Sequence, residues 1–203
     1  MKKQITNIFF DLFGVLLGID QSVVVQYLAK LTETPYLETR EIAMGEAFMR
    51  LERDEINFDQ YVDKISSELP NGNRIETNVL RDMWMNSRVG EMPSVSLLDK
   101  LQVQYKVWIV SNTSESHIQN LKSKFIFLNH VDGIITSELA GAHKPNPEIF
   151  RFALNEAKVD MGSTIFIDDS HTNVKSAENM GIVSHHYTDF ETFDRFCKDY
   201  LKI

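Results

Sequence analysis

Three carboxylates, one lysine and a hydroxyl–amide pair stand out in this chain, because each flanks a short apolar run or the helix-like stretch after one. Asp11 follows the run Ile5–Phe10, Ser111-Asn112-Thr113 follows Val107–Val110, and Asp168-Asp169 follows Thr164–Ile167. Lys144-Pro145 precedes the amphipathic stretch Pro147–Ala157. Gathered in one place, three carboxylates repel strongly unless a cation lies among them. Hard oxygen ligands suit Mg²⁺, which commonly joins carboxylates to a phosphate. An aspartate can attack phosphorus and carry the phosphoryl group covalently. A lysine ammonium can neutralise both the nucleophile and the transferring group, while Ser111 and backbone amides near it can donate to phosphate oxygens.

Strands and helices must position these groups. The runs Ile5–Phe10, Val107–Val110, Gly133–Thr136, Thr164–Ile167 and Ile182–His185 are rich in β-branched and aromatic residues and too brief for helices. Such near-continuous apolar runs fit strands buried on both faces of a parallel sheet. Between them lie the amphipathic stretches Val95–Gln104, Ser116–Lys124, Pro147–Ala157, Asn173–Met180 and Phe190–Leu201. The alternation predicts βαβ units in an α/β, Rossmann-like, doubly wound parallel sheet. Ligands of such sheets bind beyond the carboxyl ends of the strands, where all the groups above would meet. From about Asp20 to Arg88 no strand-like run occurs. Instead Val23, Val24, Tyr27, Leu28 and Leu31 recur at helical spacing, as do Phe58, Tyr61, Val62 and Ile65. The expectation is an α/β core, residues 1–17 and 90–203, with a small all-helical cap, residues 18–89, inserted after the first strand. Pro70-Asn71-Gly72-Asn73 reads as a turn within it.

Charge and composition narrow the partners. Against 21 Lys and Arg stand 29 Asp and Glu among 203 residues, a formal net charge of −8. That argues against a broad electrostatic grip on nucleic acid or on an anionic membrane. An anionic substrate must then be drawn in by a local device, such as a metal ion or a lysine. The single cysteine, Cys197, excludes an internal disulfide and points to a reducing compartment, the cytoplasm. No segment approaches the apolar length of a membrane span. Met-Lys-Lys before an apolar run has the look of a leader, but Asp11 breaks the run and a strand is expected there instead.

The four motifs Asp11-Leu12-Phe13-Gly14-Val15-Leu16, Ser111-Asn112, Lys144-Pro145 and Phe166-Ile167-Asp168-Asp169-Ser170 resemble, in this order, those of the haloacid dehalogenase (HAD) superfamily. The resemblance covers essentially the whole chain, and the gap between Asp11 and Ser111 has the right size for a cap. Met44-Gly45-Glu46-Ala47-Phe48, Glu52-Arg53-Asp54-Glu55-Ile56 and Val110-Ser111-Asn112-Thr113 are similar to the bacterial α-D-glucose-1-phosphate phosphatase-like group. The resemblance implies a Mg²⁺-dependent hydrolase of a small phosphomonoester, a sugar phosphate such as glucose 1-phosphate, as a monomer or weak homodimer. It implies Asp11 as nucleophile, and Asp11, Asp168, Asp169 and the Phe13 backbone carbonyl as metal ligands. Ser111, Asn112 and Lys144 would bind the phosphoryl group, and Glu46 and Arg53 the substrate.

Phe13 departs from the phosphatase pattern, which places an acid–base aspartate two residues after the nucleophile. Such a group is typically worth about 10²–10⁴-fold in rate. The glucose-1-phosphate phosphatase-like group also lacks it, and a sugar 1-phosphate has a better leaving group than a simple alkyl phosphate. Asp20 and Glu46 are candidate substitutes. Two alternatives stay open: a non-catalytic or weakly active phospho-ligand binder, and a metal-independent 2-haloacid dehalogenase, a reading that an aromatic Phe13 favours and the acid pair Asp168-Asp169 opposes. His171 lies close enough in sequence to reach the acid pair. His185-His186, Met83-Trp84-Met85 and Cys197 read as packing.

Overall fold

The computed structural model describes residues 4–52, 55–85 and 88–203. Among the described residues there are seven strands: β1 Asn7–Phe10, β2 Leu17–Asp20, β3 Arg88–Glu91, β4 Lys106–Ser111, β5 Gly133–Thr136, β6 Thr164–Asp168 and β7 Val183–His186. Eleven α-helices accompany them: α1 Ser22–Thr32, α2 Tyr36–Ala43, α3 Glu46–Glu52, α4 Phe58–Glu68, α5 Thr77–Met85, α6 Leu98–Gln102, α7 Glu115–Lys122, α8 Ser137–Ala140, α9 Pro147–Ala157, α10 His171–Met180 and α11 Phe190–Phe196. The chain divides into two compact units, residues 1–18 with 90–203 and residues 19–89.

The first unit is α/β. Its five strands run parallel in the order β5-β4-β1-β6-β7. Numbered by appearance this is 3-2-1-4-5, the doubly wound order whose direction reverses between β1 and β6. β1, β4, β5 and β6 form around apolar residues that are β-branched or aromatic, whereas the edge strand β7, with Ser184, His185 and His186, is half-buried. Asn7–Phe10 and Thr164–Asp168 are buried along their whole length, as expected for strands covered on both faces. Phe9, Val110, Ile149, Phe150, Phe166 and Ala177 pack into one cluster with the helices of one face. Phe150 meets Phe166 edge to face at 4.9 Å, an arrangement that adds to simple burial. Gly141, Lys158 and Gly181, all left-handed, close α8, α9 and α10.

Local detail departs from the sequence reading in three places. The helix expected over 95–104 begins as a 3₁₀ turn, Pro93–Leu97, before α6. The last helix relaxes into a wider turn at Cys197–Leu201. The two short strands β2 and β3 pair with each other at the ends of the insert. Both are too short for periodicity to reveal.

The second unit is helical. Val24, Leu28, Ala43, Tyr61, Val62, Ile65 and Leu80 form its core. The Tyr61 hydroxyl is buried and donates to the Ala43 carbonyl at 3.0 Å. Trp84 packs in this core, stacked on Phe48 at 5.4 Å. Asn57 and Gln60 form a reciprocal capping box that starts α4. Among the described residues no helix is long and apolar enough to cross a membrane.

Candidate active site

The functional side chains cluster at the carboxyl ends of β1, β4 and β6, around the point where the strand order reverses. Asp11 follows β1, and its backbone N–H donates to the Ile167 carbonyl, which carries the β1–β6 ladder one residue further. Asp168 is the last residue of β6 and fully buried. Ser111 is the last residue of β4, equally buried. Parallel register sets all three at one edge: Phe10 is opposite both Ile109 and Ile167.

Lys144 enters from the loop before α9 and is nearly inaccessible. Its Nζ lies 2.7 Å from Asp11 Oδ1 and 2.7 Å from Asp168 Oδ2. The Asn112 side chain fixes that loop from β4. Its Oδ1 accepts from the Lys144 N–H at 2.7 Å, and its Nδ2 donates to the Lys144 carbonyl at 2.9 Å. Asn112 therefore grips the lysine's own backbone. Asp168 is held further by Asn173 Nδ2 at 3.0 Å from Oδ1, and by the Ser170 N–H at 2.8 Å. Asp11 Oδ1 also accepts from the Leu12 N–H at 2.7 Å, which fixes the rotation of its carboxylate.

Asp169 completes an acidic trio. Asp11, Asp168 and Asp169 offer oxygens that all lie within 4.8 Å of one another. Gly14, at φ +84°, lets the chain pass so close to Asp169 that a Cβ there would lie 2.5 Å from its Cγ. Only glycine combines that backbone angle with that approach. The His186 ring nitrogen lies 2.9 Å from the Asp169 carbonyl oxygen, and His171 meets the His186 ring edge-on.

The electrostatics are those of a cation site. Burial pushes the Asp11 carboxyl well above its usual range; Lys144 opposes this, and Asp168 and Asp169 add to it. Burial, then Asp168, pushes Asp169 up to about 6. Burial alone would lower Lys144, but Asp11 and Asp168 outweigh it and hold the ammonium above its usual value. With every group ionised, three carboxylates face one ammonium, a surplus of two negative charges. A divalent cation of hard type matches that surplus and the all-oxygen donor set. Ser111 Oγ is buried with no hydrogen-bond partner. Such an orphan is rare and calls for a ligand, here an acceptor such as a phosphoryl oxygen.

The structure thus brings Asp11, Lys144, Asp168 and Asp169 together, with Ser111 and Asn112 at the neighbouring strand end. Phe13 lies in the turn after Asp11, and its ring stacks on His117 at 5.5 Å. Partial burial and Lys124 keep the His117 imidazole below its usual pKa. Glu46 opens α3 in the helical unit. Arg53 lies outside the described residues. Two residues in contact with these segments were not singled out from sequence: Asn173, which holds Asp168, and His117, which stacks on Phe13. Asn173 could have been found as the first-turn position of a helix that starts directly after the acid pair.

Known proteins share this frame. Residues 5–181 match the haloacid dehalogenase-like hydrolase family. A D-ribitol-5-phosphate phosphatase of Bacteroides thetaiotaomicron is 26% identical over 198 residues, covering 93% of this chain and 91% of the relative. A sesquiterpene phosphatase of Aspergillus oryzae is 28% identical over 188 residues, with 89% and 88% covered. A HAD family enzyme of Bacteroides thetaiotaomicron, solved in complex with magnesium and inorganic phosphate, superposes with a TM-score of 0.58 at 27% identity, covering 91% of this chain and 95% of that one.

Proposed function

We propose, since the chain belongs to the haloacid dehalogenase-like hydrolases, that it is a Mg²⁺-dependent phosphatase of small phosphomonoesters working through an aspartyl-phosphate. The observation that carries this reading is the Lys144 ammonium held 2.7 Å from both Asp11 and Asp168, beside a third carboxylate and a buried, unpartnered Ser111 hydroxyl. Asp11, Asp168, Asp169 and the Phe13 carbonyl would hold Mg²⁺, which supplies neutralising charge to the acids and to the phosphoryl oxygens. The two phosphatases of similar sequence support the same chemistry, one on a polyol phosphate and one on an isoprenoid phosphate.

The chain's own groups divide the work. Asp11 Oδ1 is engaged by the Leu12 N–H and by Lys144, so Oδ2 is the oxygen left to attack phosphorus in line. A P–O bond forms to Asp11 as the bond to the leaving alcohol breaks. Lys144 absorbs charge on the nucleophile and the transferring group, and Ser111 donates to a phosphoryl oxygen. Phe13 has no exchangeable proton, so the alcohol takes its proton from water. Water then cleaves the aspartyl-phosphate, releasing phosphate and restoring the carboxylate. The helical insert, with Glu46 and Arg53, is the candidate source of substrate selection, and sugar phosphates such as glucose 1-phosphate are the first class to test.

The test is phosphate release from a panel of phosphomonoesters, including glucose 1-phosphate and ribitol 5-phosphate, with Mg²⁺ and with EDTA. Release is expected only with Mg²⁺ and is expected to vanish in Asp11→Asn. Release that persists in EDTA, or in the variant, would refute the reading. No release from any ester would favour a phospho-ligand binder.

A further inference from the structure

His117 is built into the site with more care than a surface histidine needs. Its backbone N–H donates to Ser114 Oγ, the cap of α7. Its ring Nδ1 lies 3.0 Å from Thr113 Oγ1. Thr113 is itself pinned, because its carbonyl accepts from Ser137 Oγ and from the Glu138 N–H. One face of the imidazole lies on the Phe13 ring, with 19° between the planes. Backbone, one ring nitrogen and one ring face are therefore all fixed. Nε2 is the polar atom left over, and among the described residues it has no hydrogen-bond partner.

The position matters as much as the fixation. Phe13 stands two residues after Asp11, and His117 stands on the first turn of the helix that follows Ser111-Asn112-Thr113. The stacked pair thus joins the turn that follows Asp11 to the helix that follows Ser111-Asn112-Thr113. An aromatic face with a hydrogen-bonding edge is amphipathic. It matches a sugar or polyol chain, whose C–H groups suit the ring and whose hydroxyls suit the nitrogen. An apolar alcohol would use only the ring.

We propose that His117 is a specificity-determining residue whose Nε2 hydrogen-bonds a hydroxyl of the alcohol portion of the ester, so that the site favours phosphorylated polyols and sugars over apolar phosphates. The inference rests on the phosphatase reading and names its substrate class. Thr113 sets the ring angle, and Phe13 is the platform.

The experiment compares ribitol 5-phosphate with pentyl phosphate, two primary alkyl phosphates with the same carbon count that differ in hydroxyls. Wild type, His117→Phe, which keeps the stack, and His117→Gln, which keeps an amide edge, are assayed with Mg²⁺. One lost hydrogen bond predicts a fall of about 5–10-fold in kcat/KM for ribitol 5-phosphate in His117→Phe. Pentyl phosphate should stay within about twofold, and His117→Gln should recover part of the loss. An equal fall on both esters would mark a structural role and overturn the proposal, as would no fall on either. Wild-type turnover of neither ester, nor of p-nitrophenyl phosphate, would overturn the phosphatase reading and the inference with it.

Discussion

Gly14→Ala separates the metal site from the fold. The methyl would lie 2.5 Å from Asp169 Cγ and closer still to Oδ2, whereas ordinary contact begins at 3.4 Å. The Asp169 carboxyl must therefore retreat by more than about 0.9 Å, and misplacements near 1 Å can cost about 10²-fold in rate. The backbone angle of +84° adds about 1–2 kcal/mol of strain for a residue with a Cβ. In a chain of this size that corresponds to roughly 2–8 °C of Tm. Asp169 is the most open of the three acids, so its side chain can swing outward without breaking the core. The expected outcome is a folded protein with a modestly lower Tm, about 10²-fold less Mg²⁺-dependent phosphate release, and a higher Mg²⁺ concentration for half-maximal rate. Thermal unfolding and a Mg²⁺ titration of turnover read the two effects apart. Wild-type turnover with an unchanged Mg²⁺ requirement would refute the idea that Asp169 must stand where Gly14 lets it.

Three further outcomes follow from the same geometry. Lys144→Met strands two buried carboxylates, a change that costs about 3–5 kcal/mol when a buried ion loses its partner; turnover should be lost, and added Mg²⁺ should raise the Tm of the variant more than that of the wild type. Asn112→Ala frees the Lys144 backbone and should lower kcat more than it raises KM, since the lysine's position suffers before substrate contact does; an unchanged kcat would show that the loop holds itself. The Asp169 pKa of about 6 against 3.8 means that the metal-free native state holds an extra proton between those values, so this group's contribution to stability falls as pH rises through that window. Mg²⁺ binds the ionised form, so the Mg²⁺-induced rise in Tm should be full at pH 7.5 and fade below about pH 6. A rise independent of pH, or one preserved in Asp169→Asn, would contradict the assignment.

What the sequence disclosed depended on the range of the interaction involved. The strands β1, β4 and β6 were legible because a doubly covered strand is apolar over most of its length, as Ile8, Phe9, Ile109 and Ile165 are. Asp11, Lys144 and Asp168 stood out because charged residues at strand ends and in a Lys-Pro loop break that pattern. Asn112 stood out at a strand end, but its hold on the Lys144 backbone was not legible. That contact joins residues far apart in sequence, and nothing local in either segment encodes it. Asn173 and His117 were hidden for the same reason: each is an ordinary first-turn helix residue until the facing loop is known. The short pair β2 and β3 escaped because strands of four residues are too brief to show a period.

The place of β1 in the sheet also governs how the protein comes into being. Asn7 pairs with Lys106 on one side and with Thr164 on the other. The strand that delivers Asp11 is made long before either neighbour. Until β6 leaves the ribosome, β1 keeps an open edge, the kind of surface on which nascent chains mispair. Parallel pairing over such separations is slow to form. Asp11 meanwhile lacks both Asp168 and the trap that holds Lys144, so a half-made chain has no anion site to fill. The cluster around Asp11 is thus complete only once β6 has paired with β1 and brought Asp168 to Lys144.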